Sequence, residues 1–305
     1  MKGSGSRATW LGGLAVLCWG LFWGLLALPT DNVRGVEVKA ASQSFEIDVK
    51  EDITYYEGRQ ADRTKHQLDV YVPKGVKEFP VLFFVHGGSW SLGDKKGELG
   101  VRVYDTLSRS VAHQGIGVVV PNYRLSPRVK HPAHIRDVAR AFAWTVKHIK
   151  EFGGRTDAIF IAGHSAGGHL VCLLATDPAY LKAEGLSVKA IRGVVAVSGV
   201  YRVPPNRLFD GVFGRDPAVR KDASPISHVG PGLPHFLVLC AEQDLPTCGK
   251  KEAGAFCAAL LTKDNLADLM EMKDRNHISI MFSMVDDADP ARRAILTFIR
   301  KNTSP

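Results

Sequence analysis

The chain has 305 residues, of which 45% are hydrophobic and 23% charged, a balance that fills a sizeable core. No internal repeat or low-complexity tract is present, so repeat and fibrous architectures are excluded. The formal charge is +8, but neither a run of five basic residues nor a nucleic-acid motif accompanies it. It reads as a solvated basic surface with at most weak attraction to anionic membranes or polysaccharide, and no nucleic-acid partner is expected.

Residues 1–41 read as a targeting segment. Lys2 and Arg7 give a positive start, and residues 10–28 follow without one charged side chain. Val38-Lys39-Ala40 offers a small-residue cleavage pattern before Ala41. The apolar run is just long enough to span a membrane, so an uncleaved signal-anchor is the alternative to a cleaved signal peptide. Either way residues 42–305 are expected to be exported, periplasmic or secreted.

Beyond that point apolar strands alternate with helical patterns. Phe45, Ile47 and Val49 alternate with polar residues, an edge-strand pattern, and a second strand over 68–73 is closed by Pro73. Residues 79–85 (FPVLFFV) form an unbroken apolar run, as expected of a strand buried on both faces. Helical spacing over 101–114 precedes a buried strand over 117–121. A long helix is expected over 134–152, stopped by Gly153-Gly154. Further strands are expected over 159–162, 194–197, 236–240 and 269–272, and a closing helix over 291–299. This order predicts an α/β fold with a mostly parallel sheet and helices on both faces. Residues 201–228 break the rhythm. Rich in proline, with Tyr201, Phe209 and Phe213, they read as a small cap or loop over the C-terminal edge of the sheet.

The centre of the pattern is Gly163-His164-Ser165-Ala166-Gly167, between the apolar strand 159–162 and an apolar helical face. Strand, tight turn and helix with a serine at the apex form a Gly-x-Ser-x-Gly nucleophile elbow. The glycines admit a strained serine backbone, and the helix behind aims free N–H groups at the same spot.

A serine alone is a poor nucleophile and needs a base, a carboxylate and oxyanion donors. Asp244 sits just past the strand 236–240, with Glu242 as the alternative acid. His277 is the only histidine after Asp244 and follows the last strand. The order Ser165, Asp244, His277 is the order of α/β-hydrolase triads. Gly87 and Gly88 follow the buried strand 79–85, so oxyanion donors are expected from Gly87 and Gly88, or Gly88 and Ser89, with Ala166. His86 reads as a structural histidine of this loop, His164 and His169 as neighbours of the elbow, and Asp69 and Asp137 as structural. Trp90, Tyr123, Tyr201 and Phe213 are the candidate substrate-pocket walls, with core packing as the alternative role.

Of five cysteines, Cys18 lies in the N-terminal apolar run, and Cys172 and Cys240 read as buried small hydrophobes. Cys248 and Cys257 flank the start of a helix and point apart. No disulfide framework or metal-ligand spacing emerges, and neither a metal nor an organic cofactor is implied.

The chain resembles an α/β-hydrolase of the HGG-containing esterase type, related to hormone-sensitive-lipase-like carboxylesterases. It is closer still to the branch holding feruloyl-type esterases and kynurenine formamidase. The likeness rests on His86-Gly87-Gly88-Ser89-Trp90, Asn122-Tyr123-Arg124-Leu125-Ser126-Pro127, the elbow through His169, Thr176-Asp177-Pro178 and Asn276-His277. It departs from the lipase-like pattern in its short cap and in lacking a large N-terminal one. The resemblance implies a serine hydrolase that cleaves small-molecule carboxylic esters through an acyl-enzyme. The alternatives are an amidase, formamidase or peptidase on the same triad, or a hydrolase fold kept as a non-catalytic binding module.

Overall fold

In the computed structural model the run Phe79–Val85 forms strand β3, and its side chains divide by parity. Val81, Phe83 and Val85 enter one buried cluster, while Leu82 and Phe84 enter the other. That is the period-two consequence of a strand covered on both faces. The structure describes residues 44–98 and 100–303. The expected targeting segment and Cys18 lie outside the described residues.

The other strands are β1 (Ile47–Thr54), β2 (Gln67–Pro73), β4 (Gly117–Pro121), β5 (Gly154–His164), β6 (Gly193–Val197), β7 (His235–Gln243) and β8 (Ala267–Asn276). They form one eight-stranded sheet in the order β1-β2-β4-β3-β5-β6-β7-β8. The β1–β2 and β2–β4 pairs are antiparallel, and every pair from β4 to β8 is parallel. Helices α1 (Val103–Ala112) and α9 (Pro290–Thr303) cover one face. Helices α2 (Ala133–His148), α3 (Ala166–Thr176) and α7 (Lys250–Leu261) cover the other.

Two expectations shift in detail. The long helix ends at His148 and tightens into a 3₁₀ turn over Ile149–Phe152, which Gly153 closes with φ 92°. The last strand is longer than its apolar core, and Leu269 and Met270 are exposed because β8 is a sheet edge. Helix α4 (Pro178–Ala183) follows α3 directly. Residues 201–228 hold two short helices, α5 (Asp210–Phe213) and α6 (Pro217–Asp222), and 3₁₀ turns over Arg207–Phe209 and Pro225–His228. A further short helix, α8 (Ser279–Phe282), follows β8. No helix among the described residues is long and apolar enough to cross a membrane.

Register places the chemistry. Val85 pairs with Gly163, His164 with Val197, Val197 with Leu239, and Gln243 with Asn276. The C-terminal ends of β3, β5, β6, β7 and β8 therefore align, and the residues just beyond them share one rim. A parallel sheet gathers ligand-binding loops there because all its strands end together.

Candidate active site

Ser165 sits between β5 and α3 with φ 55° and ψ −116°. A non-glycine residue at positive φ costs roughly 1–3 kcal/mol and persists only where its surroundings fix it. Here they do, since the Ser165 N–H donates to Val197 O at 2.9 Å. A Cβ at Gly163 would lie 2.4 Å from the Gly167 carbonyl carbon, and one at Gly167 would lie 2.0 Å from Val85 O. Backbone cannot yield at those distances, so both positions require glycine.

The structure brings Ser165, His277 and Asp244 together. His277 Nε2 lies 2.9 Å from Ser165 Oγ, and His277 Nδ1 lies 2.7 Å from Asp244 Oδ1. Ser198 Oγ and the Ala241 N–H donate to Asp244 Oδ2 at 2.6 and 2.9 Å, and the Leu245 N–H donates to Oδ1 at 2.8 Å. Burial alone would raise the Asp244 carboxyl, but the hydrogen bonds from His277, Ser198 and Ala241 outweigh it and hold the group below its ordinary value. It is thus an anion, which fixes the proton on His277 Nδ1 and leaves Nε2 to accept from the serine. Glu242 is turned away, accepting from Lys273 Nζ at 2.9 Å and the Asp274 N–H at 3.0 Å.

Two of these supports escaped the sequence. Ser198, at the end of β6 with φ 48°, reads locally as a turn residue. Only the β6–β7 pairing puts its hydroxyl on Asp244. His164 donates Nε2–H to the His277 carbonyl at 2.9 Å and so steadies the catalytic loop from below. Burial and then the neighbouring His277 push His164 down to about 3, so it stays neutral.

The oxyanion loop needs a correction. The Gly87 N–H donates to Tyr104 Oη at 3.0 Å and is not free for an oxyanion. The Gly88 and Ser89 N–H groups meet no protein acceptor among the described residues. Gly88 has φ 94°, and a Cβ there would lie 2.2 Å from Leu92 O. Ser89 and Trp90 follow at φ 53° and 57°, a strained pair that turns the loop toward the elbow. The Ala166 N–H opens α3 with no helical residue behind it to accept the bond. Gly88, Ser89 and Ala166 therefore present free N–H groups beside Ser165, while Tyr104 holds Gly87. His86 does stiffen the loop: it stacks on Tyr123 at 4.3 Å, and its Nδ1 lies 2.9 Å from Gly87 O.

A cavity of about 370 Å³ opens on Ser165. Trp90, Val200, Leu208, Phe209, Leu245 and Cys248 give it an apolar wall, and Ser89, Asn206 and Thr247 add polar atoms. Of the four expected wall residues only Trp90 is there. Tyr123 is buried under the loop, with its hydroxyl 3.1 Å from His86 O. Tyr201 is fully buried and stacks on Phe256 at 4.6 Å. Phe213 packs behind Trp90, edge to face at 4.9 Å. Aromatic identity marks apolar bulk, not the direction in which a ring points. Phe209 was missed although it lies in the same aromatic-bearing stretch, and the other missed walls, Val200, Leu208 and Leu245, are aliphatic and carry no local signal of a site.

His169 ties the cavity together. Its Nδ1 accepts from Trp90 Nε1 at 3.2 Å, and its Nε2–H donates to Ala223 O at 2.7 Å. The Asn122-to-Pro127 stretch acts as a brace: Arg124 makes a two-pronged pair with Asp137 at 2.7 and 2.8 Å, and the Ser126 N–H donates to Trp90 O at 2.8 Å. Cys172, Cys240, Cys248 and Cys257 are free and buried. Two sets of side chains among the described residues bring potential metal-ligating atoms within 4.8 Å of one another: Asp244, Cys248 and His277, and Asp177, Asp222 and His228. In the first set burial pushes the Cys248 thiol up to about 12, so without a metal it is protonated.

A Ser–His–Asp arrangement at the aligned strand ends of a mostly parallel sheet defines an α/β-hydrolase. A truncated carbohydrate esterase from gut microbiota shares this fold with a TM-score of 0.71 at 16% identity, over 87% of this chain and 99% of that one. Residues 68–251 match the BD-FAE family, and the chain belongs to it. Among its relatives, esterase LipQ of Mycobacterium tuberculosis is 33% identical over 256 residues, 78% of this chain and 56% of LipQ. Esterase LipC of the same organism is 37% identical over 198 residues, 58% of this chain and 48% of LipC. The chain thus spans about half the length of these relatives.

Proposed function

We propose that this protein is an exported carboxylic ester hydrolase that works through an acyl-enzyme on Ser165. The observation that carries the reading is the His277 imidazole, 2.9 Å from Ser165 Oγ on one side and 2.7 Å from Asp244 on the other. His277 Nε2 takes the serine proton as Oγ attacks the ester carbonyl, and returns it to the departing alkoxide. Asp244 holds the imidazole in the right tautomer and offsets its positive charge. The Gly88, Ser89 and Ala166 N–H groups receive the oxyanion. Water then repeats the sequence on the acyl-enzyme. The apolar cavity of about 370 Å³ suits a short acyl chain or an aryl group beside the scissile bond. The esterase names of the relatives support the ester as substrate. Export rests on the charge-free residues 10–28 after Lys2 and Arg7. N-terminal sequencing of protein recovered outside the cytoplasm should begin near Ala41, and a start at Met1 would make the segment an anchor.

The test is a panel of short-acyl, long-acyl and feruloyl esters, an acetylated sugar and N-formylkynurenine, with wild type beside Ser165→Ala. Wild type should hydrolyse the short or aryl esters and take up a fluorophosphonate probe. The variant should lose about 10⁶-fold in kcat and all labelling. Turnover of the formyl amide alone would make the protein a formamidase. Folded wild type that neither turns over an ester nor reacts with the probe would sink the reading.

A further inference from the structure

Four side chains with no role at Ser165 meet where residues 201–228 dock on the body. His131 precedes α2, Asp177 joins α3 to α4, Asp222 ends α6, and His228 closes the turn Pro225–His228. Asp222 Oδ2 lies 3.4 Å from His131 Nε2, and Asp177 Oδ2 lies 3.9 Å from His228 Nδ1. One ligand atom each from Asp177, Asp222 and His228 falls within 4.8 Å of the others. The His131 side chain is 2% exposed and reaches the cluster from inside, while Asp222 at 58% leaves it open to solvent.

The separations are informative. A charge-assisted N–H···O contact closes to about 2.7–2.9 Å, and both carboxylate–imidazole gaps are wider. A tetrahedral zinc ion holds nitrogen and oxygen ligands at about 2.0–2.2 Å, which puts neighbouring ligand atoms about 3.3–3.6 Å apart. The Asp177–His228 gap of 3.9 Å is a few tenths of an ångström wider than that edge, and Asp177, Asp222 and His228 each bring one ligand atom within 4.8 Å of the others. A second observation concerns the His228 ring itself. His228 Nε2 lies 2.6 Å from Asp222 O, and a carbonyl can only accept, so Nε2 carries the proton. In the neutral ring Nδ1 then turns a bare lone pair toward the Asp177 carboxylate. Two electron-rich atoms repel across that gap unless a metal ion, or a proton on Nδ1, joins them. Donation of the other ring N–H to a backbone carbonyl is also the usual support of a metal-ligating histidine. Asp177 keeps its second oxygen busy, with Oδ1 accepting from the Ala179 N–H at 2.9 Å.

We propose that Asp177, Asp222 and His228 bind one divalent cation of the zinc class, with His131 bracing Asp222 from the body side, and that the ion staples the 201–228 segment to the body. His131 and Asp177 belong to the body, Asp222 and His228 to the cap. No local spacing betrays the site, because its ligands come from separate stretches of chain. The pinned segment adjoins the cavity: Ala223, next to Asp222, accepts from His169, which in turn holds Trp90.

The experiment uses the full chain without an affinity tag, stripped with a chelator and then titrated with Co²⁺ and Zn²⁺. One ion should bind per chain, and saturating Zn²⁺ should raise Tm by about 5 °C. Bound Co²⁺ should show tetrahedral visible bands without thiolate-to-metal charge transfer, since no sulfur is in the set. Asp177→Asn keeps an oxygen to cap α4 but removes the charge, and it should weaken binding at least about tenfold. Asp222→Asn, at an exposed position, should do the same while leaving the metal-free Tm within about 2 °C of wild type. Failure to retain either ion would overturn the proposal, as would affinity unmoved by both substitutions. A charge-transfer band would place the ion on a cysteine instead and would overturn it too.

Discussion

The elbow and the cap lie against one another and are held by opposite means. Around Ser165 the backbone itself is the constraint. Gly163 and Gly167 face carbonyl atoms at 2.4 and 2.0 Å from where a Cβ would stand, and β3, β5 and β6 fix the turn by register. In the cap, backbone meets little. A Cβ at Gly211 or Gly214 would find nothing within 4 Å. Within the cap the largest set of side-chain bonds comes from one buried residue, Arg220, whose guanidinium donates to the carbonyls of Pro204 and Gly214 and to Asp210. A site that must position a nucleophile within tenths of an ångström sits on the first kind of structure. A wall that shapes a pocket tolerates the second.

The strongest way to break this contrast is Gly167→Ala. The new methyl group would collide with the Val85 and His86 carbonyl oxygens, which belong to the sheet and its following loop. Neither can move without dismantling the β3–β5 pairing. The variant should lose more than about 3 kcal/mol of stability and yield little soluble, probe-reactive protein. Recovery of wild-type yield and labelling would show that the elbow is softer than its contacts imply.

Arg220→Met tests the cap in the same way. The side chain is 6% exposed, so removing it leaves buried carbonyls without donors. The loss should be about 3 kcal/mol by urea denaturation, and Arg220→Lys should not restore it, because an ammonium cannot reproduce the planar fork. The Pro204-to-Asn206 backbone sets the cavity wall. KM for a short ester should therefore rise about tenfold while kcat falls less than threefold. An equal fall in kcat would mean that the cap acts on the triad and not only on the pocket.

The same contrast explains what could be read from sequence. The elbow was legible because steric need and periodicity are local: Ile159, Phe160 and Ile161 write a strand, and Gly163 and Gly167 write a turn. The aligned strand ends made Asp244 and His277 legible by order, since each follows its strand directly. Ser198 was not, because its bond to Asp244 crosses from β6 to β7. The Gly87 N–H was misjudged because its acceptor, Tyr104, arrives from α1. Tyr201 and Phe213 were misjudged because facing is decided by partners, Phe256 for one and Trp90 for the other. Every failure is a group whose role is set by a distant element.

A pH series probes both regions at once. Burial, first among the causes, lowers His86 and His134 to about 4 and His164 and His169 to about 3, against an ordinary 6.5. Their folded values lie below the unfolded one, so the stability they confer is fully present above about pH 6.5 and is lost as pH falls toward 3–4. At pH 5 unfolding should take up roughly three to four protons, a slope near 1.4 kcal/mol per pH unit for each. Urea midpoints at half-unit steps from pH 7.5 to 4.5 would measure it, in the range where most carboxylates are still ionised. His169→Gln should remove about one proton from that slope. A flat profile would mean that these rings are hydrated and that neither region is as closed as its burial indicates.

The smallest effect sharpens the contrast most. Gly211 lies in the exposed first turn of α5, has helical backbone, and offers a Cβ open space. Alanine there removes conformational freedom from the unfolded chain and adds no clash, so Gly211→Ala should stabilise by about 0.5 kcal/mol or leave stability unchanged. KM should not move, because neither Asn206 nor Phe209 depends on that position for a contact. The same chemical change is thus expected to be ruinous at the elbow and harmless or helpful in the cap. If Gly211→Ala instead destabilised the protein by more than about 1 kcal/mol, the cap backbone would be under a constraint beyond the reach of Arg220, and the division between a backbone-fixed elbow and a side-chain-fixed cap would fail.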